Sequence, residues 1–299
     1  MNETQKQTDV KTGISLVLLS SLIFAFVPNF AKISLDSGAS LFFLIISRYA
    51  IGALILLPIM YFRKNPIKVL SFNQIRRICF SSFCACTLIT LTYHAVEYLD
   101  VGIVMIILYC FPIGVALVLH IQRKHRLVKK QWLFMICVLV GLSMMFKDKD
   151  LGLNTYGLLI SFLGLVFFIL FIVTSAELSD QIGAIAFNFY ISVIGILFLI
   201  IAFFLPFNFH ISISGNIVGH FSVIGNGIFY IVSWVIFFEA ARIIGATRTS
   251  LLACSEPLFA ALIAIPLLGQ KLSSTEWIGF FIVLSSLYMF EKNSSTSAQ

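Results

Sequence analysis

Long apolar runs, separated by short charged or turn-rich segments, dominate the chain. Ten such runs lie near 13–32, 41–62, 77–96, 101–122, 131–146, 155–176, 184–205, 221–241, 246–269 and 275–290. Each approaches the roughly 20 residues that an α-helix needs to cross a bilayer. Apolar and polar residues do not alternate with a period of two, and the runs exceed the roughly 9–11 residues of a transmembrane strand. Helices then satisfy every backbone group in lipid, so the pattern predicts an all-α integral membrane protein with ten transmembrane helices. The first run is longer than the apolar core of a signal peptide, about 7–15 residues, and no small-residue cleavage site precedes Lys32. It reads as a retained helix.

Composition narrows the function. Apolar residues make up 60% of the chain and charged ones 11%, against about 25% charged in an ordinary soluble domain. That excludes a water-soluble globule and a disordered chain, and it leaves no room for a soluble catalytic domain. The net charge is +7, but the basic residues sit in short tracts between apolar runs. The expected partner is therefore the lipid bilayer and not a nucleic acid. With the N-terminus inside, fifteen Lys/Arg fall in cytoplasmic segments and four (Lys32, Lys147, Lys149 and Lys271) outside, while Arg48 lies within a span. This bias puts both termini on the cytoplasmic side of the inner or plasma membrane, with the tract 123–130 against anionic lipid heads. All six cysteines fall inside predicted spans, and Cys84 and Cys86 point to nearly opposite helix faces. No metal and no cofactor are expected. The chain has no G-x-x-x-x-G-K-[ST], no H-E-x-x-H and no G-x-S-x-G, which speaks against ATP-driven transport and against an enzyme.

The chain also repeats itself. At an offset of 145, Pro112 falls on Pro257, Trp132 on Trp277, Ala95 on Ala240, Ala116 on Ala261, Leu142 on Leu287 and Met144 on Met289, and Tyr93 meets Phe238. The halves, 13–146 and 155–290, hold five spans each. Five is odd, so the second half enters the membrane upside down: two inverted five-helix repeats, a recurring plan of secondary transporters. Charge agrees with this. Segment 122–130 carries five Lys/Arg, whereas its counterpart between spans nine and ten carries only Lys271.

Several motifs carry a resemblance. Glu256-Pro257-Leu258-Phe259-Ala260-Ala261-Leu262, then Leu267-Leu268-Gly269-Gln270-Lys271-Leu272 and Trp277-Ile278-Gly279, resemble the repeat signature of EamA-type transporters of the drug/metabolite transporter superfamily. Phe111-Pro112-Ile113 with Trp132 and Gly141 does so in the first half, and Leu44 to Arg48-Tyr49 with Ala50 and Gly52-Ala53 is similar to the family's arginine-bearing second helix. The likeness covers about 13–290. It implies ten helices, cytoplasmic termini, a central cavity, alternating access, and a substrate such as an amino acid, nucleoside, vitamin or S-adenosylmethionine. The chain departs from the family pattern at Gln270 and Phe111, where the family usually carries acids.

Ionisable groups within a bilayer tend to face a cavity or a partner. Glu256 lies ten residues into span nine, about 15 Å deep, directly before Pro257; it is a candidate for substrate binding or proton coupling. Arg48 lies seven residues into span two, about 10 Å deep. It would pair with Glu256, bind a substrate carboxylate or phosphate, or serve as a structural cation. His94 and Glu239 coincide at the 145-residue offset and mark two gates or two wetted interfaces. Asn29, Tyr93, Tyr109, Tyr230 and Trp234 bring polar tips to apolar helices and suit the lining of a mostly apolar pocket. Pro112 and Pro257 are hinge candidates. The expected function is secondary transport of a small metabolite, an amino acid or similar amphipathic solute, driven by protons through Glu256 or by the substrate gradient alone. The alternatives are an S-adenosylmethionine, nucleoside or vitamin permease of the same architecture, or a non-transporting channel or scaffold.

Overall fold

A computed structural model describes residues 3–62, 70–99, 101–122, 129–145, 154–204, 209–268 and 272–296; the basic tract at 123–128 and the acidic and basic residues at 147–150 lie outside them. Every regular element among the described residues is helical. In chain order these are α1 (Glu3–Phe24), α2 (Phe26–Asp36), α3 (Leu41–Phe62), α4 (Phe72–Val96), α5 (Val101–Leu108), α6 (Phe111–Ile121), α7 (Lys129–Met145), α8 (Thr155–Ile182), α9 (Ala184–Phe203), α10 (Ile217–Ile244), α11 (Ala246–Leu252), a 3-10 turn (Ala253–Ser255), α12 (Glu256–Leu268) and α13 (Ser274–Thr296). Among the described residues, seven stretches are long and apolar enough to cross a membrane: 9–36, 41–62, 72–96, 101–121, 155–182, 184–203 and 217–244. They answer to predicted spans one to four and six to eight. Helices α7, α11–α12 and α13 occupy the fifth, ninth and tenth positions.

Several helices outrun the apolar runs that announced them. α8 continues to Ile182, α10 begins at Ile217, and α13 reaches Thr296.

Three helices are interrupted, and each interruption stands just before a proline: Ala25 before Pro28, Tyr109–Cys110 before Pro112, and Ala253–Ser255 before Pro257. Proline has no N–H to give the carbonyl four residues back, and its ring crowds that turn. At the first break the Asn29 side-chain amide donates to the Ala25 carbonyl at 2.9 Å. Pro58 and Pro266 lie close to the C-terminal ends of α3 and α12, and those helices run through them.

The helix pattern recurs at the same offset of 145: the starts of α4, α5, α6 and α7 fall on those of α10, α11, α12 and α13. Gly38 falls on Gly183, and both have φ of 90°, a left-handed conformation that glycine adopts without a Cβ clash. Each ends one helix just before the next begins. The first helices differ. Pro28 aligns with Val173, and α8 accordingly runs unbroken.

The chain forms two compact units, 1–86 with 174–244, and 87–173 with 245–299, so each unit draws on both halves of the sequence. In the first unit α10 packs against α1, α2 and α3, and α3 also packs against α9. Small residues bring these helices close. The Tyr49 ring lies over Gly195, where an added Cβ would come within 2.6 Å of it. Ser20 and Ser233 exchange hydrogen bonds with each other's carbonyls at 2.9 Å, and the Ser81 and Ser175 hydroxyls meet at 2.6 Å. Such contacts replace the missing hydrophobic drive between helices in lipid. Loop contacts tie one end of the unit together, with Ser40 N–H donating to the Ser212 carbonyl at 2.9 Å and Gly215 N–H to the Ser37 carbonyl at 2.7 Å.

In the second unit α7 packs along α13, and α11 along α6. Val138, Leu142, Leu251, Cys254, Leu258, Val283 and Leu287 form its buried centre. Gly141 and Gly279 set the α7–α13 distance: a Cβ on Gly141 would come within 2.8 Å of the Gly279 carbonyl oxygen. Phe111 stacks on Phe168 with centroids 4.3 Å apart.

Candidate substrate-binding site

The singled-out residues fall into two clusters, one in each unit. In the first unit Arg48 is buried on α3, 7% exposed. Its Nε donates to Oδ1 of Asn226 on α10 at 2.5 Å, and its guanidinium lies 5.3 Å from the centroid of the Tyr230 ring. Asn226 is held from its other end, since Nδ2 donates to the Val27 carbonyl at 2.8 Å. Tyr230 continues into an aromatic wall. It meets Phe24, Tyr49 and Trp234 at centroid distances of 5.9, 6.3 and 6.2 Å, and Trp234 stacks on Phe238 at 5.4 Å. Aromatic contacts of this kind are favourable beyond the area they bury. Asn29, also expected here, is buried and directs its amide to its own helix.

The second unit holds the carboxylate. Glu256 opens α12 and is the acidic residue of its first turn, where a carboxylate complements the helix dipole. Its side-chain partner is the Tyr109 hydroxyl, and Tyr109 stands in the break between α5 and α6. The two residues belong to breaks that coincide at the 145-residue offset, which runs from 109–110 to 254–255. Pro112 and Pro257 are buried and take the second positions of α6 and α12, where a missing N–H costs nothing because first-turn donors have no intrahelical partner. Close by, the hydroxyls of Thr247, Ser250 and Ser255 are buried and lack a hydrogen-bond partner among the described residues. Backbone breaks beside unsatisfied hydroxyls form a polar patch in an otherwise apolar unit.

Arg48 belongs to the first unit and Glu256 to the second. Each is partnered inside its own unit by a neutral group, Asn226 for the cation and Tyr109 for the acid. Tyr93 lies half-buried in α4. His94 sits near the end of α4, with Nδ1 3.0 Å from Glu97 Oε2 and its ring edge-on to Tyr98 and Tyr156. Glu239 pairs with Arg242 one turn further along α10, both well exposed. Sequence reasoning missed Asn226, an amide within an apolar run, and Glu177, which the predicted end of span six left outside the helix. Glu177 accepts from Arg77 at 2.5 Å. Arg248 on α11 pairs in forked geometry with Glu291 on α13. Among the described residues no group of three His, Cys, Asp or Glu is placed to hold a metal ion, and the cysteines are free thiols.

Long apolar helices crossing repeatedly, interrupted at matching positions in the two halves, define a multi-pass helical membrane protein. Its family follows from comparison with known proteins. The pattern of the EamA-like transporter family matches residues 11–147 and again residues 155–291, and the chain belongs to that family. It is 28% identical over 104 residues to an uncharacterized inner membrane transporter, YicL, of Salmonella typhimurium, a stretch that is 34% of this chain and 33% of that protein. The match thus spans about a third of that relative's length. A solved crystal structure superposes with a TM-score of 0.73 over 93% of this chain and 95% of that one, at 12% identity, a likeness of fold alone.

Proposed function

We propose that the protein is a secondary transporter that carries a small metabolite, an amino acid or similar amphipathic solute, across the inner or plasma membrane by alternating access. Ten crossings in two five-helix repeats of opposite orientation, 13–146 and 155–290, form the moving parts, and both termini are cytoplasmic. The observation that carries this reading is the pair of helix breaks at one offset, with Tyr109 in one and Glu256 at the other. Broken helices expose backbone groups and helix termini to a bound solute or ion where an unbroken helix offers none.

In this reading Glu256 and Tyr109 form the coupling site, Arg48 with Tyr230 and Trp234 receives the solute, and Asn29 and Tyr93 line the path. His94 and Glu239 stand near opposite ends of it, and the segments at Pro112 and Pro257 hinge. Protons are the coupling ion, passed through Glu256. The test is uptake of radiolabelled amino acids and related solutes by proteoliposomes under an imposed proton gradient. Saturable, gradient-stimulated uptake is expected. Gradient stimulation that is unchanged in Glu256→Gln would remove protons from the mechanism and leave the substrate gradient as the driving force.

A further inference from the structure

Arg48 is a buried cation whose own unit supplies no anion. Its acceptor is a neutral amide, Asn226 Oδ1 at 2.5 Å, and that amide is pinned from behind by its bond to the Val27 carbonyl at 2.8 Å. Asn226 is fully buried, so it positions the guanidinium along one edge and engages one of five N–H donors. The four N–H groups of the terminal fork have no acceptor among the described residues. Two acids elsewhere in the unit pair with other cations, Glu177 with Arg77 and Glu239 with Arg242. A buried charge without a counter-charge is costly. A guanidinium engaged on one edge and unpaired at its fork matches the two oxygens of a carboxylate. Tyr230 lies beneath the guanidinium, and Phe24, Tyr49 and Trp234 extend an apolar surface from it.

We infer that Arg48 seats an anionic group of the transported solute, and that the solute is a small carboxylate with an aromatic or branched apolar body. This rests on the transport reading above and adds the substrate class. Asn226 is a positioning residue: it holds the guanidinium by its Nε edge without neutralising it.

The test compares carboxylates with their own amides on the purified full-length protein. The probes are 3-phenylpropionate, phenylalanine and 4-methylpentanoate, each beside its uncharged-carboxamide analogue. Binding is read as a saturable rise in melting temperature, and uptake is measured in parallel. At least one acid is expected to stabilise the protein where its amide does not. Asn226→Asp places a carboxylate beside the guanidinium from within. It should melt no lower than the parent yet weaken acid binding on the order of tenfold or more. Arg48→Gln should lose acid binding, and Arg48→Lys, which keeps the charge without the fork, should fall between. Equal binding of acid and amide, no stabilisation by any acid, or undiminished acid binding in Asn226→Asp would each overturn the proposal and leave Arg48 a structural cation. Stabilisation by phosphatidylglycerol alone would make the seat a lipid site and overturn it too. Acid binding without uptake would sink the transport reading and leave the seat standing. Uptake that ignores both variants would do the reverse.

Discussion

Arg48 and Glu256 are the two side chains whose charge is hardest to explain as packing, and the protein handles both alike. Each is met by a neutral polar partner elsewhere in its own unit, Asn226 or Tyr109. Within its own unit, neither is paired with an opposite charge. Replacing Glu256 by Gln keeps a group that Tyr109 can hydrogen-bond. The variant is expected to fold and to exchange substrate across the membrane at near-parental rates, while uptake driven by a proton gradient falls on the order of tenfold or more, since proton carriage requires an ionisable group. The remaining ion pairs act differently. Arg77 and Glu177 keep 26% and 34% of their side-chain surface, so water screens them, and Arg77→Gln should lower unfolding free energy by less than about 1 kcal/mol with uptake retained. Charges within apolar runs are visible in a bare sequence, which is why both residues stand out there. Their partners were not. Asn226 lies 178 residues from Arg48, and only the packing of α10 on α3 brings them together.

At the scale of the element, prolines decide where helices end, though not all of them do so. Pro28, Pro112 and Pro257 are each followed by at least eight more helical residues, and there the loss of a donor and the ring's bulk interrupt the ladder. Pro58 and Pro266 stand near helix ends, where few bonds remain to be lost. Sequence alone marks all five residues and cannot weigh the context that separates them. Pro112 and Pro257 are the second residues of new helix segments within single apolar runs. Pro257→Ala restores a donor for the Ala253 carbonyl and a better helix former. The variant should melt at or above the parental temperature and lose most uptake, because the break at 253–255 would close. The α7–α13 contact makes a separate prediction. A Cβ on Gly141 would press on the Gly279 carbonyl, and backbone cannot rotate aside as a side chain can. Gly141→Leu should therefore destabilise by about 1–3 kcal/mol, seen as a lower melting temperature in detergent.

At the scale of the molecule, sequence and space divide the chain differently. The family pattern covers 11–147 and then 155–291, one half after the other. The compact units instead interleave, each joining helices from both halves. Internal similarity can be read along a chain because related residues recur at a constant offset. The grouping of helices depends on contacts such as Ser20 with Ser233, 213 residues apart, which no local pattern encodes. Matching helix starts and the Gly38–Gly183 pair support descent of the two halves from one module, and an odd number of crossings per half would set them in opposite directions. Orientation is thus the point on which alternating access depends. Lys129 and Ser274 are the first residues of α7 and α13 and coincide at the 145-residue offset. Each can be replaced singly by cysteine in a background lacking the six native thiols, then exposed to a membrane-impermeant maleimide in right-side-out and inverted vesicles. Lys129→Cys should react only from the cytoplasmic side and Ser274→Cys only from the opposite side; reaction of both from the same side would contradict the inverted architecture and the transport cycle built on it.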